Sequence, residues 1–276
     1  SFLAYFGYHL KGEFYANFLF LWESGFFDLT KGKVGNMTST DCLETNRRAS
    51  LYEKMLKLSD DSVGKAQKYY NSEAADEYYF NIWGGEHIHV GIYFNDKEAI
   101  VDASPRIVHR MASQVKLTPA TRVLDLGSGY GGGARFLART YGCDVTCLNL
   151  SCTQNERNEA FNKEQGLENK ISVVEGNFES IPFSEKNFDV IWSQDAMVHS
   201  ANRTKVIQEV SRVLSEGGSF IFTDLMQSSD IPKSALKPVL DRIHLESLGS
   251  FGFYLESAFK NGLGYGKITD LSSHLT

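Results

Sequence analysis

The stretch Val123-Leu-Asp-Leu-Gly-Ser-Gly-Tyr-Gly131 constrains this chain more than any other. Its apolar residues suit a buried strand, Asp125 sits near the strand end, and the glycines form a turn that opens a helix running to about Tyr141. Glycine adopts the left-handed backbone without penalty and lets a ligand approach the main chain. Further apolar runs follow at Cys143–Leu150, Ile171–Glu175, Phe188–Trp192 and Ser219–Thr223, separated by helix-length segments. Gly217-Gly218 provides a turn into the last of these, and Lys267–Thr269 offers another short strand. Alternating strands and helices with fully apolar strands predict an α/β fold, a parallel sheet covered by helices on both faces. Ligands of such sheets lie beyond the carboxyl ends of the strands.

Before this region the composition differs. Aromatic residues make up 13% of the chain and crowd the first 94 positions, giving way near residue 120 to the alternating pattern. The expected organisation is an extension over residues 1–40, a helical lid and substrate cap over 41–118, and a ligand-binding core over 119–276. Residues 1–36, which precede the first methionine at Met37, read as an appendage. Residues about 45–80 read as helix, and Ser104-Pro105 as the start of another that carries Ile107, Val108, Met111 and Val115 on one face. A net charge of −6 provides no field to hold a phosphate backbone, which argues against nucleic acid as a partner. Phe14–Trp22 is too short to span a bilayer, and no signal-peptide pattern is present, so the expected location is cytoplasmic, away from membranes. Four cysteines without a C-x-x-C pair suggest neither a disulfide scaffold nor a zinc site.

Read from Gly127 to Gly132, the turn fits G-x-G-x-x-G, which would suit a nicotinamide-dependent oxidoreductase, or simply packing of helix on strand. As D-x-G-x-G-x-G in a strand–turn–helix setting, it resembles motif I of class I S-adenosylmethionine-dependent methyltransferases. Leu148-Asn-Leu-Ser151 lies where that superfamily puts a ribose-binding acid, Glu175-Gly-Asn-Phe178 resembles its adenine clamp, and Phe188–Ala196 resembles its motif IV. The resemblance implies a Rossmann-like sheet and S-adenosylmethionine as cofactor. It also implies contacts from Asp125, Gly127, Gly129, Asn149, Leu150, Gln154, Asn177, Phe178 and Gln194. Lys68-Tyr-Tyr-Asn71, Tyr78-Tyr79 and Ile82–Tyr93 look like the lid of sarcosine/dimethylglycine N-methyltransferases, which make glycine betaine. That likeness places His89 over the methionine end of the cofactor. Members of that family continue into a further helix and strand, so those two elements are expected to be missing here.

Asp195 and His199 lie four residues apart after the strand Phe188–Trp192, so a helical turn would put them on one face. His199 is the expected base or proton relay, with Asp195 orienting it or a nearby group; phosphobase methyltransferases have a similar pair. Tyr79 is the third catalytic candidate. A quaternary ammonium product suits aromatic faces, and Tyr70, Tyr79, Trp83 and Tyr93 are available, though each ring also reads as core. Trp192, inside a strand, reads as core. His87 and His89 share a face by period-two spacing, but no third ligand at a metal-site spacing accompanies them, so no metal is expected. Arg106 and Arg110 are candidates for a substrate carboxylate or for solvated helix charge. A phosphobase methyltransferase would need cationic phosphate ligands. Leu150-Ser-Cys-Thr-Gln154 also resembles a cyclopropane fatty-acid synthase pattern, which would favour membrane contact.

Overall fold

Leu124 and Leu126 are wholly enclosed, which places β2 (Arg122–Leu126) in the middle of a sheet. The computed structural model describes residues 15–23, 64, 67–83, 85–228, 232–243, 245–264 and 266–274. Met37, Cys42 and most of the helix expected at 45–80 lie outside them. β2 is followed by α3 (Gly132–Tyr141), β3 (Asp144–Asn149), α4 (Cys152–Glu164) and β4 (Ile171–Glu175). After β5 (Phe188–Gln194) come α5 (Arg203–Val213) and β6 (Leu214–Gln227), then α6 (Lys233–Ile243), β7 (Gly249–Ser250), α7 (Phe251–Lys260) and β8 (Ile268–Asp270). Ahead of the core stand β1 (Tyr15–Glu23), α1 (Glu73–Tyr78) and α2 (Ile100–Ala112).

The main path of the sheet runs β4-β3-β2-β5-β6-β1-β8, and the pairs from β4 through β6 are parallel. The chain leaves β2 towards β3 and β4, then returns to place β5 on the other side of β2. That reversal opens a crevice at the carboxyl ends of β2 and β5.

Alternate residues of β2 feed the two cores. Leu124 and Leu126 pack with Val206, Ile207 and Val210 of α5 and Tyr254 of α7. Val123 packs with Ile107 and Met111 of α2 and Leu137 of α3, together with Trp192. Each such buried side chain contributes about 1.5–3 kcal/mol, against about 0–1 for a surface ion pair such as Lys260–Glu256, so the two apolar layers hold the fold.

Two local expectations need correction. α2 begins at Ile100, with Pro105 inside it. The ring removes the donor for the carbonyl of Val101, a solvent-exposed residue, so the proline is tolerated where water can serve that carbonyl. β6 starts at Leu214 and absorbs the Gly217-Gly218 turn, with a register irregularity in its pairing between Phe188 and Val190.

The segment read as an appendage contributes β1, which pairs antiparallel with β6 over Tyr15–Glu23 and with β8 on its other side. A strand on that edge of β6 satisfies main-chain groups that would otherwise stand open. The sheet beyond β6, where the resemblance implied missing elements, is thus occupied by β1 and β8. Among the described residues no helix is long and apolar enough to cross a membrane.

Candidate active site

Gly127 and Gly129 follow β2 with φ of 71° and 53°, a left-handed backbone that glycine adopts without penalty. A Cβ on Gly127 would stand 2.4 Å from the Ala196 methyl, and one on Gly129 would stand 2.8 Å from Ile88 Cδ1. Gly127, Gly129, Asn149, Leu150 and Gln154 line the cleft. So do Asn177, Phe178 and Gln194. Asp125 does not reach the wall: it lies buried below the turn, where loss of solvent pushes its carboxyl up to about 7.

Side-chain hydrogen bonds set what these residues can offer. Asn149 Nδ2 donates to Gln154 Oε1 at 3.1 Å and Asn155 Oδ1 at 3.2 Å, which commits its donors and leaves its oxygen as the group available to a hydroxyl. Ser151 caps α4 by accepting from Gln154 N, and its hydroxyl donates to Asn71 Oδ1 at 2.8 Å, which ties the segment ahead of α1 to the β3–α4 turn. Gln194 Oε1 accepts from Trp192 Nε1 at 3.0 Å, while its buried Nε2 has no partner. Asn177 Oδ1 accepts from Glu179 N at 2.8 Å, which leaves its NH2 side for a ligand.

His199 ends a short 3-10 turn, Met197–His199, on the cleft wall. Its Nε2 lies 2.9 Å from Tyr70 Oη, with the two rings perpendicular at 5.4 Å. Burial, with the Arg203 cation adding to it, pushes the imidazole down to about 4. Burial also raises the Tyr70 phenol above its ordinary value. At neutral pH the pair is therefore a neutral imidazole against an intact phenol.

Asp195 does not share this contact. It adopts φ of 49°, a left-handed conformation that aspartate tolerates better than most side chains. Its carboxylate accepts from Val90 N at 2.8 Å and from Thr223 Oγ1 at 2.8 Å, joining the segment ahead of α2 to β6. Tyr79 stands behind Tyr70 at 5.7 Å, with Trp83 6.0 Å beyond; of the four aromatic candidates only Tyr70 lines the cleft.

His89 also stays off the wall, where Ile88 takes the place expected for it. Its Nδ1–H donates to Val90 O at 3.1 Å, so Nε2 accepts from His87 Nδ1–H at 3.2 Å. Burial holds both rings below their ordinary range, His87 at about 3. Arg106 is bound by Glu98 at 2.5 Å and by Ile92 O at 2.8 Å, and neither it nor Arg110 lines the cleft.

The segment ahead of α2 is anchored by buried polar groups. Arg135 of α3 has a fully enclosed side chain and donates to Glu86 Oε2 at 2.8 Å and to the oxygens of Asn158 and Asn162, both at 3.1 Å. Asp76 of α1 accepts from Arg157 and from Tyr130 Oη, and that guanidinium holds its carboxyl below the usual range. Gln67, which no sequence motif marks, donates from Nε2 to Leu150 O at 3.2 Å on the cleft wall, and Tyr70, expected only as an aromatic face, meets His199 there.

A glycine turn on the cleft wall, an unpartnered amide donor on Gln194, and neighbouring amide and aromatic side chains fit an adenosyl cofactor. With the doubly wound sheet, they define a class I S-adenosylmethionine-dependent methyltransferase. The methyltransferase domain family model matches residues 124–222. The sarcosine/dimethylglycine N-methyltransferase of Aphanothece halophytica is 55% identical over 204 residues, 73% of this chain and 74% of that protein. The glycine/sarcosine/dimethylglycine N-methyltransferase of Actinopolyspora halophila is 50% identical over 81% of this chain, which spans 40% of that longer relative. A crystal structure assigned as a sarcosine dimethylglycine methyltransferase from Galdieria sulphuraria superimposes with a TM-score of 0.65 at 43% identity, covering 68% of this chain and 74% of that one. The chain belongs to the sarcosine/dimethylglycine N-methyltransferase family.

Proposed function

We propose that this chain methylates the amino nitrogens of sarcosine and N,N-dimethylglycine, carrying them towards glycine betaine in the cytoplasm. The observation that carries the reading is the Tyr70–His199 pair at 2.9 Å on the cleft wall. An alkylammonium titrating at about 10 is almost fully protonated near neutral pH and has no lone pair to offer a methyl donor. Bound at the glycine turn, S-adenosylmethionine supplies an electrophilic methyl group on a positively charged sulfur. Gly127 and Gly129 would admit it, Asn149 with Gln154 would take the ribose, and Asn177 with Phe178 the adenine. His199 holds or passes the amine proton, and Tyr70 fixes the imidazole and presents its ring to the substrate cation. Such a face contributes about 0.5–2 kcal/mol per ring. Asp195, strapping Val90 to Thr223, closes the lid over the reacting groups. The free thiols of Cys143, Cys147 and Cys152 suit a reducing compartment.

Two outcomes follow from the geometry. A Tyr70→Phe variant loses about 10–100-fold in kcat, because the phenyl ring keeps the cation face but cannot hydrogen-bond Nε2. An unchanged kcat would remove the phenol from the chemistry. An imidazole at about 4 takes a proton from an ammonium only against a gradient. Turnover at subsaturating amine should therefore rise about tenfold per pH unit from about pH 6 to 9, following the neutral amine. An inflection at the ordinary histidine value would contradict the buried, neutral His199. Parallel assays on glycine, sarcosine, dimethylglycine and phosphoethanolamine test the substrate class, and turnover of phosphoethanolamine alone would overturn it.

A further inference from the structure

His199 owes its position to a turn of only three residues, too short to hold itself. Both peptide groups flanking Val198 are gripped from behind. The N–H of Val198 donates to Asp224 Oδ1 at 3.0 Å, and its carbonyl, the one joined to His199, accepts from Arg203 Nη2 at 2.6 Å. Asp224 Oδ2 accepts from Tyr254 Oη, and Arg203 reaches on to Ser247 O at 2.6 Å and Ser247 Oγ at 2.9 Å. Asp224, Tyr254 and Arg203 are each more than nine-tenths buried, and none of them lines the cleft beside His199.

Resting on the methyl-transfer reading above, we propose that Arg203, Asp224 and Tyr254 act as positioning residues, clamping the two peptide groups that flank Val198 so that the His199 imidazole meets Tyr70 at the cleft. The clamp draws one residue each from α5, β6 and α7, so it ties the catalytic turn to the core. It has an electrostatic side as well. The groups around His199 are Tyr70 from the lid, Arg203 from α5, Asp224 at the end of β6, Asp195 in the preceding turn, and Glu179, which accepts from the neighbouring Ser200 hydroxyl at 2.6 Å. After burial, the Arg203 cation is the group that depresses the imidazole. The Asp224 carboxyl feels that cation in turn, and the Tyr254 hydroxyl donates to Asp224. A buried charge left without its partner is costly, so these three are expected to act as a unit.

Tyr254→Phe is the mildest probe, since it removes one hydroxyl and keeps the ring against Phe222 at 5.2 Å. The expected result is a fall of about tenfold in kcat with KM for the amine and cofactor affinity unchanged, the pattern of a group that acts on the transition state alone. Arg203→Gln should raise the His199 titration by about one pH unit in a nitrogen-15 histidine spectrum, assigned by the signal lost in His199→Gln. Arg203→Lys keeps the charge and should leave that titration in place while kcat falls. A simple packing role would lower the folded fraction, leave the titration where it is, and give a normal kcat per folded molecule. That result in Tyr254→Phe, or an unmoved titration in folded Arg203→Gln, overturns the clamp. If Arg203→Gln does not fold, Tyr254→Phe and Arg203→Lys decide by the kcat and KM split. The titration needs no substrate, so a wild-type chain inert on both amines would sink the functional reading without touching this one.

Discussion

Replacing His199 with alanine lowers kcat on sarcosine and dimethylglycine by about 10²–10⁴-fold, the range for loss of a positioned acid–base group. Cofactor affinity stays within a few-fold of wild type, because the glycine turn and the amide side chains that would hold the adenosyl group are untouched. The two effects separate cleanly in experiment. Turnover reports the chemistry, while thermal protection by S-adenosylhomocysteine reports binding to the native state, growing with ligand concentration over Kd. His199 contributes a ring at the cleft wall rather than a core side chain, so the variant should remain folded. Retained turnover would remove the imidazole from the mechanism, and loss of cofactor protection would move His199 into the binding site.

Gly127→Ala abolishes cofactor protection. A left-handed alanine costs about 1–2 kcal/mol, and here the added methyl also meets the Ala196 methyl at 2.4 Å. Relief requires the β5 turn or the glycine loop to move, and both line the cleft. Gly217→Ala is the matched control, with φ of 74° but nothing within 4 Å of the new Cβ. It should lose about 1 kcal/mol of stability and keep its cofactor affinity. If Gly127→Ala bound cofactor as tightly as Gly217→Ala, the close approach of ligand to this turn would be wrong.

The parts of the sequence that spoke most clearly are those where local pattern and tertiary environment agree. Val123–Gly131 is apolar on alternate faces and glycine-rich where the backbone turns, and it lies in the sheet centre as read. Asn149, Gln154, Asn177, Phe178 and Gln194 reach the cleft because strand ends fix their positions along the chain. The segment ahead of α2 is different: its placement is set by contacts over more than a hundred residues, such as Tyr70 with His199 and Val90 with Asp195. Nothing in Tyr69-Tyr70 or Tyr78-Tyr79 tells which ring faces inward. The helical spacing of Asp195 and His199 suggested a shared face, but the left-handed residue at 195 and a 3-10 turn break that geometry. β1 was missed because its partner strand lies some two hundred residues away, and a strand's worth of apolar residues does not announce its place in a sheet.

The most direct test incubates the purified chain with dimethylglycine and S-adenosylmethionine carrying a labelled methyl group, and reads the amine product by mass. One labelled methyl gained on nitrogen, giving a trimethylated quaternary amine and one S-adenosylhomocysteine per turnover, is the result this account predicts. Cofactor binding without any labelled amine from dimethylglycine or sarcosine would contradict it.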